Sequence, residues 1–373
     1  MSSSADTATR AAALFEEARM HKRVYDCDWE AVVRCCREAA DLGHADAQLE
    51  LALCLERGDG VAAADPCEAA RYYRLAAAQG NLDALYIMGE CYHKGRCGVA
   101  RDAMAAAYTF KKAADGGHAY SQLKIGVCYE TGDGVTLNPI EAVRYYTLAA
   151  DQGNAVATVN LGMCYEAGVG VAAADPVEAV RWYELAETRG SRLALVRLGC
   201  AYIAGRGVAR DVAEGVRCFE TAADGGDADG HFNLGLLHSR GLGVPEDAAA
   251  AAQRYTLAAD QGHAKAQLYL GECYERGYGV PKDAVLAVRY YALASARPAE
   301  REIGLTDAYL AKVDAARARL AASRELAVMC CLGCGTTSEL KTCDRCHVAK
   351  FCSTACIRRA WPQHKPNCAL WRL

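Results

Sequence analysis

The stretch LGMCYEAGVGV at residues 161–171, followed by RWYELAETRG at residues 181–190, decides the fold. Ala157, Leu161 and Tyr165 fall at i, i+4 and i+8, the spacing of one packed helix face. That helix stops at Gly168, where a left-handed C-terminal cap is expected, and a second Gly and a Val follow. Another helix opens behind Asp175, whose carboxylate can accept from the first free backbone N–H groups. Pro176 stands just inside it and Glu178 at the capping-box position. It closes at Gly190.

The same unit recurs along the chain. Its closing glycine returns at Gly43, Gly80, Gly117, Gly153, Gly190, Gly226 and Gly262, at spacings of 37, 37, 36, 37, 36 and 36 residues. Helical patterning at this period predicts an all-α protein, a right-handed α-solenoid of two-helix repeats. The one-residue variation falls in the loop between the Gly cap of the first helix and the Asp or Asn cap of the second, which leaves the packing register intact. Six first helices carry a glycine in mid-helix: Gly89, Gly126, Gly162, Gly199, Gly235 and Gly271; the first copy has Ala52. Each costs about 1 kcal/mol relative to Ala, so a neighbouring helix is expected to approach too closely for a side chain. Seven second helices place an aromatic seven residues before the closing position, at Tyr73, Phe110, Tyr146, Tyr183, Phe219, Tyr255 and Tyr291; the leading one, about 28–42, has Cys36 there.

These motifs resemble the Sel-1-like repeat family, relatives of the tetratricopeptide repeats, whose pattern runs A-x3-L-G-x2-Y-x2-G-x-G-V and then Y-x-x-A-A-x-x-G. The resemblance covers residues 27–298 and recurs seven times; His238 replaces the family Tyr, and Pro298 stands where an eighth closing Gly would be. The expected organisation is an N-terminal capping helix in 1–26, the repeat array in 27–298, a capping helix and linker in 299–329, and a finger domain in 330–373.

Several repeated polar rows are read as structural. Cys54, Cys91, Cys128, Cys164 and Cys273 share one position and are expected to be small buried side chains. His44, His118 and His263 alternate with Asn81, Asn154, Ser191 and Asp227, which are helix-capping types. Glu56, Glu130, Glu166 and Glu275 are read as a solvated face, and Arg34, Arg71, Arg144, Arg181, Arg217 and Arg289 as partners of nearby carboxylates. No Ser/His/Asp order, P-loop or dinucleotide fingerprint is present.

The last 43 residues differ in kind: Cys331-x2-Cys334-x8-Cys343-x2-Cys346-x5-Cys352-x3-Cys356-x7-His364-x3-Cys368. Eight thiolate and imidazole ligands suit two closed, structural zinc sites, and a structural zinc can supply on the order of 10 kcal/mol to a segment too short to fold on apolar burial. Cys330 and His347 are read as non-ligands because they would break the CxxC spacing. The chain has 20 cysteines in 373 residues and no apolar run of membrane or signal-peptide type, so reduced thiols are expected over disulfides, in the cytoplasm and/or the nucleus. The formal charge is −4 overall and +5 from Cys330 onward; seven thiolates against two divalent ions lower the latter to about +2, which disfavours nucleic acid.

This segment resembles the MYND zinc finger, including Lys341, Phe351, Ser353 and the run from Ala360 through Trp361 and His364 to Cys368. The resemblance implies interleaved ligand sets, Cys331, Cys334, Cys352 and Cys356 on one ion and Cys343, Cys346, His364 and Cys368 on the other. It also implies binding of proline-containing peptides at Trp361, whose other available role is packing in the small core with Trp371. Ile357 follows the sixth ligand where many peptide-binding members have Gln. The expected function is a non-enzymatic, monomeric protein-protein adaptor. The alternative is a component or substrate receptor of a ubiquitin ligase complex, as in plant F-box proteins that join such repeats to a MYND finger, although residues 1–26 are too short for an F-box.

Overall fold

Helix length is set by the spacing between caps. The computed structural model describes residues 4–23, 27–295, 315, 341–342 and 350–351, and its backbone divides into two compact units, Met1–Ser191 and Arg192–Leu373. The first unit holds α1 (Ser4–Arg23), α2 (Trp29–Asp41), α3 (Ala45–Arg57), α4 (Pro66–Ala78), α5 (Leu82–Lys94), α6 (Ala103–Asp115), α7 (Ala119–Thr131), α8 (Pro139–Asp151), α9 (Ala155–Ala167) and α10 (Pro176–Thr188). The second holds α11 (Arg192–Ala204), α12 (Val212–Asp224), α13 (Ala228–Arg240), α14 (Ala248–Asp260), α15 (Ala264–Arg276) and α16 (Ala284–Ser295). From α2 to α15 every helix has 13 residues, so the one-residue variation in period lies wholly in the loops.

Odd-numbered helices from α3 are the first helices of the repeats, and each packs on the next even-numbered one. All seven end at a glycine of positive φ, for example Gly168 at 70°. The second loop glycine has a steric cause: a Cβ on Gly170 would run into the Pro139 carbonyl that precedes the body of α8.

The mid-helix glycines and the aromatic row form one contact. A Cβ on Gly162 would stand 2.5 Å from Cε1 of Tyr183, and Gly89, Gly126, Gly199, Gly235 and Gly271 meet Phe110, Tyr146, Phe219, Tyr255 and Tyr291 in the same way. The close neighbour is thus a buried ring rather than backbone. Tyr73, Tyr146 and Tyr291 are fully buried there.

Neighbouring repeats are joined by side chains that reach the ends of helices. In the first unit, Gln48 Nε2 donates to the Ala40 carbonyl (3.2 Å) and Gln79 donates to Gln48 Oε1 (2.8 Å). Gln122, Ala114 and Gln152 repeat the arrangement two repeats later. In the second unit Gln267 donates to the Ala259 carbonyl at 3.2 Å.

At the N-terminal end α1 packs on α2 with Ala11 and Ala18 buried. Of the expected C-terminal capping helix in 299–329, only Ala315 is described. Within the finger segment Lys341–Thr342 pairs antiparallel with Lys350–Phe351, the one departure from an all-helical protein among the described residues. No described helix is long and apolar enough to cross a membrane.

Candidate functional site

The rows of repeated polar residues sort themselves once the helices are packed. Asp65, Asp102, Asn138, Asp175, Asp211 and Asp247 cap their helices as expected; Asp175 Oδ1, for instance, accepts from the Val177 and Glu178 N–H groups at 3.1 and 3.0 Å. The reciprocal half of the capping box is not made. The cap's own N–H donates instead to the preceding helix, Asp175 N to the Tyr165 carbonyl at 2.8 Å and Asp65 N to Leu55 at 2.8 Å. Glu141, Glu178 and Glu214 are left to pair with Arg144, Arg181 and Arg217, the carboxylate partners expected for three members of the arginine row.

The histidine row also caps. Nδ1 of His44, His118 and His263 accepts from Ala47, Ser121 and Ala266 at 3.3, 3.1 and 2.9 Å. The other ring nitrogen reaches back one repeat, His118 Nε2 to Asp83 at 3.2 Å and His263 Nε2 to Asp229 at 2.9 Å. The His263 contact holds the Asp229 carboxyl below the usual carboxylate range. Cys54, Cys91, Cys128, Cys164 and Cys273 are buried, and burial pushes their thiols up to about 11 or 12, away from the thiolate that metal binding or nucleophilic attack requires.

The glutamate row is not a solvated face. Tyr73, Tyr183 and Tyr291 donate through their hydroxyls to Glu56, Glu166 and Glu275 at 2.7, 2.8 and 2.6 Å, and Tyr146 donates to Glu130 at 2.5 Å. A buried hydroxyl needs an acceptor, and the half-buried carboxylate supplies one. Burial and the bonded carboxylate both push the Tyr73 and Tyr146 phenols well above the ordinary tyrosine range. Where the ring is Phe110 or Phe219, the glutamate position holds His93 or Ile203; where Tyr255 faces Ser239, the hydroxyl contact lengthens to 3.4 Å. That co-variation between repeats was legible in the sequence and identifies the pair without a structure.

Among the described residues one exposed apolar row recurs from repeat to repeat. Cys67, Met104, Ile140 and Val177 occupy the second position of α4, α6, α8 and α10, and all four are exposed, Met104 by 73%, Ile140 by 71% and Val177 by 52%. Such side chains are absent from the apolar face of each helix and recur only from repeat to repeat, which is why helical periodicity passed over them.

The eight expected zinc ligands, Cys331, Cys334, Cys343, Cys346, Cys352, Cys356, His364 and Cys368, and the candidate peptide platform Trp361, lie outside the described residues. In the described part of the segment, Lys341 pairs with Phe351 and Thr342 with Lys350. By its chemistry, a donor set of seven sulfurs and one imidazole suits two closed zinc sites.

Comparison with known proteins places both segments. Residues 45–81, 82–118, 119–154, 155–191, 192–227, 228–263 and 264–297 match the Sel1 repeat, and residues 331–368 match the MYND finger. Among solved structures, a protective antigen present in uropathogenic Escherichia coli strains and displaying an SLR fold is 27% identical, with a TM-score of 0.62 over 86% of this chain and 68% of that one. A Sel1 repeat protein from Oxalobacter formigenes is 31% identical, with a TM-score of 0.60 over 79% of this chain and 85% of that one. No curated protein matches the chain.

Proposed function

The chain belongs to the Sel1 repeat family and carries a MYND finger, and from that premise we propose that it is a non-enzymatic adaptor whose repeats hold one protein while its finger holds a proline-containing peptide of another. Repeats and finger together point to protein partners. The observation that carries the reading is the exposed row Met104, Ile140 and Val177, apolar side chains presented one per repeat by helices whose buried rings and caps are otherwise satisfied. A rigid scaffold with sparse apolar anchors is suited to a partner that spans several repeats.

MYND fingers bind zinc. In this chain Cys331, Cys334, Cys343, Cys346, Cys352, Cys356, His364 and Cys368 would hold two ions, which supply folding energy rather than an open catalytic position. Trp361 would offer a flat aromatic surface to a proline-rich strand. A monomer resident in the cytoplasm or nucleus completes the proposal.

Proximity labelling in cells tests it. Enrichment of proteins with proline-rich segments, diminished by Trp361→Ala while zinc content and helicity stay constant, is the expected result. Enrichment of ubiquitin-ligase subunits in their place would overturn it.

A further inference from the structure

The pair α1 and α2 brings three metal-ligating side chains together at one spot. Cys35 precedes Cys36, the residue standing in the aromatic row, so its counterparts along the chain are Tyr72, Thr109, Tyr145, Trp182, Cys218, Arg254 and Tyr290. In two repeats that residue stacks on a tyrosine of the first helix: Tyr145 on Tyr129, with ring centroids 5.9 Å apart and planes 9° apart, and Tyr290 on Tyr274, at 5.8 Å and 2°. In the leading pair α1 takes the first helix's place against α2, and the side chains that meet there are Glu17, His21 and Cys35. Each offers one ligand atom, and the three atoms lie within 4.8 Å of one another. Cys35 is buried, His21 half-buried and Glu17 exposed, so the cluster is closed toward the core and open toward solvent.

We propose that Glu17, His21 and Cys35 form a binding site for one divalent transition-metal ion of zinc's class, clamping the N-terminal helix α1 onto α2. Thiolate and imidazole select zinc over calcium or magnesium, and a carboxylate is a common third ligand. Three donors leave a position for water on the open side. On binding, the Cys35 proton passes to solvent and the sulfur coordinates as thiolate. The competing description is a metal-free cluster, in which the Cys35 thiol bonds to the Glu17 carboxylate, burial and that carboxylate push the thiol up, and His21 Nε2 lies 3.9 Å from Glu17 Oε1 one helical turn apart. The two descriptions differ in zinc content, because coordination needs the thiol proton to leave.

The test uses the full chain, loaded with zinc chloride and freed of excess metal. Wild-type protein should hold one zinc equivalent more than Glu17→Gln or His21→Ala, both solvent-facing changes outside the finger, with far-ultraviolet circular dichroism unchanged. Amide exchange in residues 8–23 should slow by at least tenfold on zinc addition to the wild type and not in His21→Ala. Equal zinc content in all three proteins, or exchange in α1 that ignores zinc, overturns the proposal.

Discussion

Replacing Tyr183 by Phe removes one hydroxyl that donates to Glu166 at 2.8 Å from a ring only 2% exposed. A hydrogen bond to a charged group is worth about 1.5–3 kcal/mol, and the partial solvation of Glu166 sets the expected loss near the lower end, about 1.5 kcal/mol. Glu166→Ala removes the acceptor of the same bond, and the double-mutant cycle of the two should show a coupling of about 1–1.5 kcal/mol. The converse holds at a repeat that lacks the pair: Phe219→Tyr places a hydroxyl toward Ile203 and should destabilise by about 1–2 kcal/mol, with Ile203→Glu restoring part of the loss. Urea unfolding followed by helical circular dichroism reads each variant. Additive costs at Tyr183 and Glu166, within about 0.3 kcal/mol, would refute the claim that the glutamate row exists to satisfy the tyrosine row.

Gly162→Val should lower stability by about 1–3 kcal/mol despite the better helix propensity of a side chain, because its Cβ would meet Tyr183 at 2.5 Å; an unchanged urea midpoint would show that the ring can move aside. Asp229 has a depressed carboxyl in the folded protein, so its contribution is present above the unfolded value of 3.8 and is lost as pH falls below it. Asp229→Asn should therefore destabilise more at pH 6 than at pH 2.5, as read by urea midpoints, whereas an equal effect at both would exclude the His263 contact as the cause. Chelation should remove the two zinc ions of the finger, and its order, while the helicity of residues 27–295 persists; loss of most helical signal would contradict two independent modules.

The seven-fold glycine punctuation made the repeat plan, the caps and the loop location of the length variation legible before any coordinates. Local rules failed where two helices share one job. The capping-box spacing of Glu178 was present in sequence, but packing of α9 against α10 brings the Tyr165 carbonyl to the Asp175 N–H first, and no property of a single helix reports that. The acidic row was assigned to solvent because charge patterning was read along first helices alone. Reading it against the second helices, Tyr with Glu and Phe with His93 or Ile203, would have found the buried pair. Met104, Ile140 and Val177 were passed over because one apolar residue at a helix start has no period of its own within the helix. The finger's expected zinc ligands rest on spacing and donor chemistry alone and lie outside the described residues.

The adaptor reading is tested most directly by comparing the proteins captured from cells by three forms of the full chain: wild type, Met104→Glu with Ile140→Glu, and Trp361→Ala. The account predicts that all three keep their helicity and zinc, that the solenoid variant loses one set of partners, and that the finger variant loses a different set. Retention of every partner by both variants, or loss of the same set from each, would contradict it.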